Sequence, residues 1–205
     1  MNDSDGTTSS ASRLMESAWA QRRSAFAGPT DNLPEELTEV RARLKGAVEL
    51  LQDSEDAILL AHALHLVAHI ESDLGRPARA RERWEEAVAL LRTAHDPLQL
   101  AHKLRHLGDL LRTEGAVDEA RPLLEEAVAL HRDHSKDHEE NPSVTLDLAN
   151  ALRRLALLNE EKEEIDAARA QWTEARNLYA GLGISAGVDE AAQHLRALTG
   201  EGATD

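Results

Sequence analysis

Glu-Glu-Ala-Val-Ala-Leu stands at residues 85–90 and stands again at residues 125–130, forty residues further along. A fixed period of that size is the mark of stacked supersecondary units, each making the same contact with its neighbour. Working outward, Leu64-x2-Val67-Ala68, Gly75, Ala80-x3-Trp84 and Ala87 recur as Leu104-x2-Leu107-Gly108, Gly115, Ala120-x3-Leu124 and Ala127. A third copy, Leu152-x2-Leu155-Ala156, Glu163, Ala168-x3-Trp172 and Ala175, follows after forty-eight residues, so eight are inserted before it. Val40, Leu44, Ala47 and Val48 repeat only the second half of the unit.

Each unit reads as two antiparallel helices. Asp96-Pro97 and Asn141-Pro142 place a capping side chain ahead of a proline at the first helical position, where the missing N–H costs nothing. Gly75 and Gly115 close one apolar-periodic stretch just before the next begins, as a residue free to take positive φ can. The small residues Ala68, Gly108 and Ala156, with Ala80, Ala120 and Ala168, fall where the two helices of a unit cross. Trp84, Leu124 and Trp172 are expected to fill the space between units. The repeated hexapeptide is then the packing face of the second helix, used twice.

These residues resemble the tetratricopeptide repeat over roughly 35–180, in its longer-period variety, with Glu71, Leu111 and Asn159 where the family pattern has an aromatic residue. The resemblance implies an all-α fold: an α-solenoid of tetratricopeptide-like helical hairpins with helical caps. The array is expected over 35–181, with a half repeat at 35–52 and repeats at about 55–94, 97–136 and 143–181. Residues 1–11, rich in Ser, Thr, Asp and Gly without an apolar period, read as a disordered tail. Residues 12–34 read as a helix and linker, with Met15, Trp19, Arg22 and Phe26 forming one stripe that either caps the first unit, the preferred reading, or docks on a partner. Val188, Ala191, Leu195 and Leu198 form the matching stripe on a C-terminal capping helix, 187–199.

Composition narrows the function classes. A formal charge of -15 repels a phosphate backbone and an anionic membrane surface, so neither nucleic acid nor a membrane is an expected partner. Absence of cysteine removes disulfides, zinc ribbons and thiol nucleophiles. The N-terminus has no apolar core of a signal peptide and no run reaches a membrane span, which points to a cytoplasmic protein. No phosphate-binding, dinucleotide, nucleophile-elbow or zinc-protease motif is present, so an enzyme is not expected and no cofactor is called for.

What stands out is histidine. His62, His65 and His69 share one face of the first helix of a unit, and His102 and His106 share one face of the next. By the resemblance, first helices line the concave surface, which would then carry His62, His65, His69, His102, Arg105, His106, Asp109, Arg112, Asn150, Arg153 and Arg154. Three readings fit such a surface. It is a solvated wall; or it holds a peptide or protein segment whose acidic groups pair with Arg105, Arg112, Arg153 and Arg154; or His65, His69, His102 and His106 bind metal, as a carrier or a metal-dependent hydrolase. The second, a non-enzymatic protein-interaction scaffold, is the preferred expectation. Five imidazoles on one surface also suggest tighter capture of acidic tails at mildly acid pH. The run His131-Arg-Asp-His134-Ser-Lys-Asp-His138 reads as a solvated helix end leading into the insertion.

Overall fold

The computed structural model describes residues 3–28, 30–137 and 141–199. Among these the chain is all-α, with nine α-helices, one short 3-10 turn at Thr30–Asn32 and no strand. The helices are α1 (Asp3–Ala27), α2 (Leu33–Leu51), α3 (Ala57–Asp73), α4 (Pro77–Ala94), α5 (Pro97–Thr113), α6 (Val117–Asp137), α7 (Pro142–Glu161), α8 (Ile165–Gly181) and α9 (Ser185–Thr199). They fall into two compact units, residues 1–99 and 100–205, divided within α5.

In the first unit α1 packs on α2, α2 on α3 and α3 on α4, while α1 also touches α3. The apparent half repeat is therefore completed: α2, with buried Val40, Leu44 and Ala47, is the second helix of a hairpin whose first helix is α1. The expected disordered tail is helical from Asp3 onward, which corrects the reading of residues 1–11; Met1 and Asn2 lie outside the described residues. The cause is local. The hydroxyls of Ser10 and Ser12 donate to the carbonyls of Gly6 and Thr8 at 2.8 and 2.9 Å, so serines that look like loop formers bond to the helix itself. Ala11 beside them is fully buried.

The buried stripe of α1 is Ala11, Met15, Ala18 and Ala25. Trp19 and Arg22 are only half-buried and Phe26 is 50% exposed, so the stripe expected from Met15 to Phe26 lies at the edge of the contact. There the Arg22 guanidinium stacks on Trp19 and Phe26, at 4.6 and 4.9 Å from the ring centres, and reaches across to Asp73 of α3 through two hydrogen bonds.

Four helices, the first helices α3, α5 and α7 and the second helix α8, end in the same turn. Gly75, Gly115 and Gly183 take φ of +69°, +80° and +70°, and the amide after each returns to the carbonyl of Glu71, Leu111 or Tyr179. In the third copy the same turn is made by Glu163 at φ +58°, with the amide of Glu164 bonded to the carbonyl of Asn159. N-termini are capped as the sequence implies, Asp96 accepting from the Gln99 amide and Asn141 from the Ser143 amide, both at 3.0 Å. Asp56 does the same for α3, accepting from Leu59 at 2.9 Å.

In the second unit α6, α7, α8 and α9 pack in succession. The inserted residues lengthen α6 to 21 residues against 18 for α4 and α7 to 20 against 17 for α5, and the rest lengthen the connection between α6 and α7, of which 138–140 lie outside the described residues. Large residues of second helices sit on small residues of first helices inside the hairpin, as Leu124 does on Gly108, rather than filling only the gaps between hairpins. Trp172 does both, clustering with Ala156 of α7 and Ala191 of α9. The positions where the family pattern has an aromatic are all core: Glu71, Leu111 and Asn159 are each 2% exposed. Buried polar groups need partners. Glu71 meets Arg41, with Arg76 Nη1 3.6 Å away, and Asn159 joins Arg121 and Gln171 at 2.8 Å each. No described helix is long and apolar enough to cross a membrane.

Candidate functional site

The polar residues expected on one surface are divided between the two units. In the first, His62, His65 and His69 do share a face of α3, with ring centres 6.3 Å apart for His62–His65 and 4.5 Å for His65–His69. They are not equivalent. His62 is exposed, whereas His65 is 5% exposed and its Nδ1 accepts from Trp84 Nε1 at 3.0 Å. His69 stands edge-on to Trp84 at 5.4 Å and tilted against Trp19 at 5.7 Å. Two of the three imidazoles are thus built into an aromatic cluster that joins α1, α3 and α4. Of the residues weighed as metal ligands, His65 and His69 lie in this unit and His102 and His106 in the other.

In the second unit α5 and α7 present the charged residues to one another. Arg154 Nε lies 3.1 Å from Asp109 Oδ2, and Arg112 donates to Asp109 Oδ1 from Nη2 at 3.0 Å and from Nε at 3.2 Å. Arg112 also donates to Glu161. Arg153 donates through Nε to Glu190 Oε2 at 2.7 Å, and through Nη2 to its other oxygen. Asn150 accepts from the Tyr179 hydroxyl at 2.9 Å. Each of the arginines named from sequence therefore has an acidic neighbour inside the protein. Asp147, Glu161 and Glu190, which supply most of that charge, were missed. Glu190 carried no usable signal, because it sits on a different helix from the residue it pairs.

Arg105 is the most deeply placed, 7% exposed, with Nη2 3.0 Å from His106 Nε2 and 3.8 Å from Asp147 Oδ1. His102 Nδ1 is 3.4 Å from the same Asp147 oxygen, and the two rings His102 and His106 are 4.9 Å apart. Burial would push Asp147 up, but its hydrogen bond with His102 and the charges of His102 and Arg105 hold it below the usual carboxylate range. Burial pushes His102 down, aided by Arg105 and Lys103 and opposed by Asp147. His131, expected in a solvated run, is 1% exposed on α6, and burial lowers it to about 4, with Arg105 and His102 acting in the same direction. Its spacing from Ala127 and Val128 was the available sign that it faces inward. His134 is half-buried and His138 lies outside the described residues.

Arg153 is pushed up, chiefly by the Glu190 bond, while burial lowers Arg154. This is a surface of fixed, compensated charges, in which each guanidinium keeps N–H groups beyond those its partner uses. Such a surface can accept further carboxylates or backbone carbonyls in defined positions, with the side-chain orientations already set.

Residues 59–133 match the tetratricopeptide repeat family. That stretch is a tetratricopeptide-repeat region. Its hairpins superpose on solved helical-repeat proteins of low identity, a likeness of fold alone. Aspartyl phosphate phosphatase F from Bacillus subtilis is 14% identical with a TM-score of 0.76, covering 96% of this chain and 46% of its own. A Podosopora anserina putative kinesin light chain with nearly identical TPR-like repeats is 17% identical at 0.55, over 97% of this chain and 99% of that one. A Rap protein complexed with competence and sporulation factor is 16% identical at 0.51, over 83% and 50%. The chain thus spans less than half the length of phosphatase F. A search of curated proteins found no match.

Proposed function

We propose that this tetratricopeptide-repeat protein is a non-enzymatic interaction module whose first helices hold a peptide or protein segment. The observation that carries this reading is the charge ladder of the second unit, where Arg154, Arg112 and Arg153 are held by Asp109, Glu161 and Glu190 and still keep donors to spare. A wall kept only for solubility needs no such cross-linking between helices. A guanidinium has five N–H donors, and Glu190 engages Arg153 through Nε and Nη2, leaving Nη1 for a carboxylate of the partner. Arg154, bound to Asp109 through Nε, keeps both terminal amino groups. The partner is accordingly a segment with acidic groups, and Asn150 and His106 contribute hydrogen bonds beside them. The Rap neighbour solved in complex with competence and sporulation factor supports this use of the fold by analogy.

Native-extract capture with the wild type and with the pair Arg153→Gln and Arg154→Gln tests the reading. A protein held by the wild type and lost by the pair, with the melting temperature of the pair within a few degrees, is the expected result. Equal capture by both would overturn it.

A further inference from the structure

The first unit carries a cleft of about 300 Å³ between α1 and α3, lined by apolar Met15, Trp19, Leu59 and Leu66 and by polar Ser12, Glu16 and His62. We infer that this cleft is a subsite for one cationic side chain, a lysine or arginine, of a partner polypeptide. The apolar walls take the aliphatic stem and the Glu16 carboxylate takes the charged head.

Size comes first. Ligand pockets run from ~300 to ~1,000 Å³, so this one suits a single side chain rather than a cofactor. Charge decides the rest. Glu16 is the one acidic residue of the lining, and it is exposed, with no hydrogen bond or ion pair to any described residue. The cations nearest to it along α1 are already engaged: Arg13 donates to Ser10, and Arg22 is fixed by Asp73 and stacked on Trp19 and Phe26. An acidic head would meet Glu16 as a like charge, and a wholly apolar ligand would desolvate the carboxylate without compensation. Lysine and arginine meet both demands, since their stems lie along apolar surface while the head stays at the rim. The chain's net charge of -15 draws basic segments towards it.

That the ligand is a polypeptide rests on the proposed function; the preference of the cleft for a cation does not. The test uses the purified full chain at pH 8 and three peptides, N-acetyl-Ala-Leu-X-Leu-Ala-amide with lysine, norleucine or glutamate at X, titrated by tryptophan fluorescence and calorimetry. The lysine peptide is expected to bind tighter than the other two by roughly threefold or more, the scale of one partly exposed ion pair. Glu16→Gln should remove that preference, and Glu16→Lys should reverse it in favour of the glutamate peptide. Glu16 is exposed, so neither variant threatens the fold. Equal affinity for the three peptides, no binding up to millimolar concentration, or an order unchanged in Glu16→Lys would overturn the subsite. The Arg153→Gln and Arg154→Gln pair, altered only in the second unit, should keep the lysine preference. Failure of the extract experiment with that preference intact counts against the charge ladder, and the converse result counts against the cleft.

Discussion

Leu124 occupies the space that any side chain at residue 108 would need: a Cβ on Gly108 would come 2.7 Å from Leu124 Cγ and 2.8 Å from its Cδ2. Both residues are buried, so the second-helix leucine closes directly onto the first-helix backbone. Gly108→Val should therefore destabilise the chain by about 1–3 kcal/mol through overpacking. Urea unfolding followed by circular dichroism reads this as a lower midpoint at unchanged slope, and an unchanged midpoint would show that Leu124 yields freely.

The third copy of the repeat makes its turn with Glu163 in the left-handed region, where the others have glycine. Glu163→Gly removes the Cβ strain of the left-handed conformation, which outweighs the extra backbone entropy that glycine gives the unfolded chain. A gain of about 0.5–1 kcal/mol is expected, visible as a melting temperature higher by about 1–4 °C.

His131 gives the second unit a defined acid sensitivity. Its folded value of about 4 lies below the 6.5 of the unfolded chain, so the unfolded state binds the proton more readily. Stability is unaffected above pH 6.5 and falls as the pH drops from 6.5 towards 4, by a total on the order of 3 kcal/mol from this residue. His102, lowered in the same direction, adds to the loss. Denaturant midpoints measured every half pH unit should show this slope, and His131→Leu should flatten much of it.

Docking of α9 depends on Glu160. Its carboxylate accepts from Trp172 Nε1 and lies 2.9 Å from His194 Nδ1, while the His194 ring stacks on Trp172 at 4.3 Å. Glu160→Ala leaves the indole N–H of a fully buried tryptophan without its acceptor, at a cost of about 1–3 kcal/mol. Faster amide exchange confined to 185–199 and the neighbouring turn is the expected signature.

The hairpins were legible because the contact between helices is made by small and large residues at fixed spacing, and Gly108 with Leu124 repeats Ala68 with Trp84. The start of α1 was not, because Ser10 and Ser12 carry loop-forming composition while their hydroxyls bond to helix carbonyls and Ala11 faces the core. At the candidate site, α5 and α7 could be read from periodicity, and the family resemblance implied that Arg105, Arg112, Arg153 and Arg154 share one surface. Their acidic partners could not. Arg153–Glu190 spans 37 residues of sequence and Arg112–Glu161 spans 49, and no local pattern records a contact made by tertiary packing. Buried Glu71 was hidden for a related reason: a charged side chain reads as outward-facing, and only its partner Arg41 shows how it is held inside, whereas the spacing of His131 from Ala127 and Val128 did mark it as inward.

The most direct measurement is the comparison of partner capture from native extract by the wild type and by the Arg153→Gln, Arg154→Gln pair, with bound proteins identified by mass spectrometry. Loss of a wild-type partner by the folded variant is the result expected if the charge ladder of α5, α7 and α9 is the working surface. The same partners retained in the same amounts would contradict it.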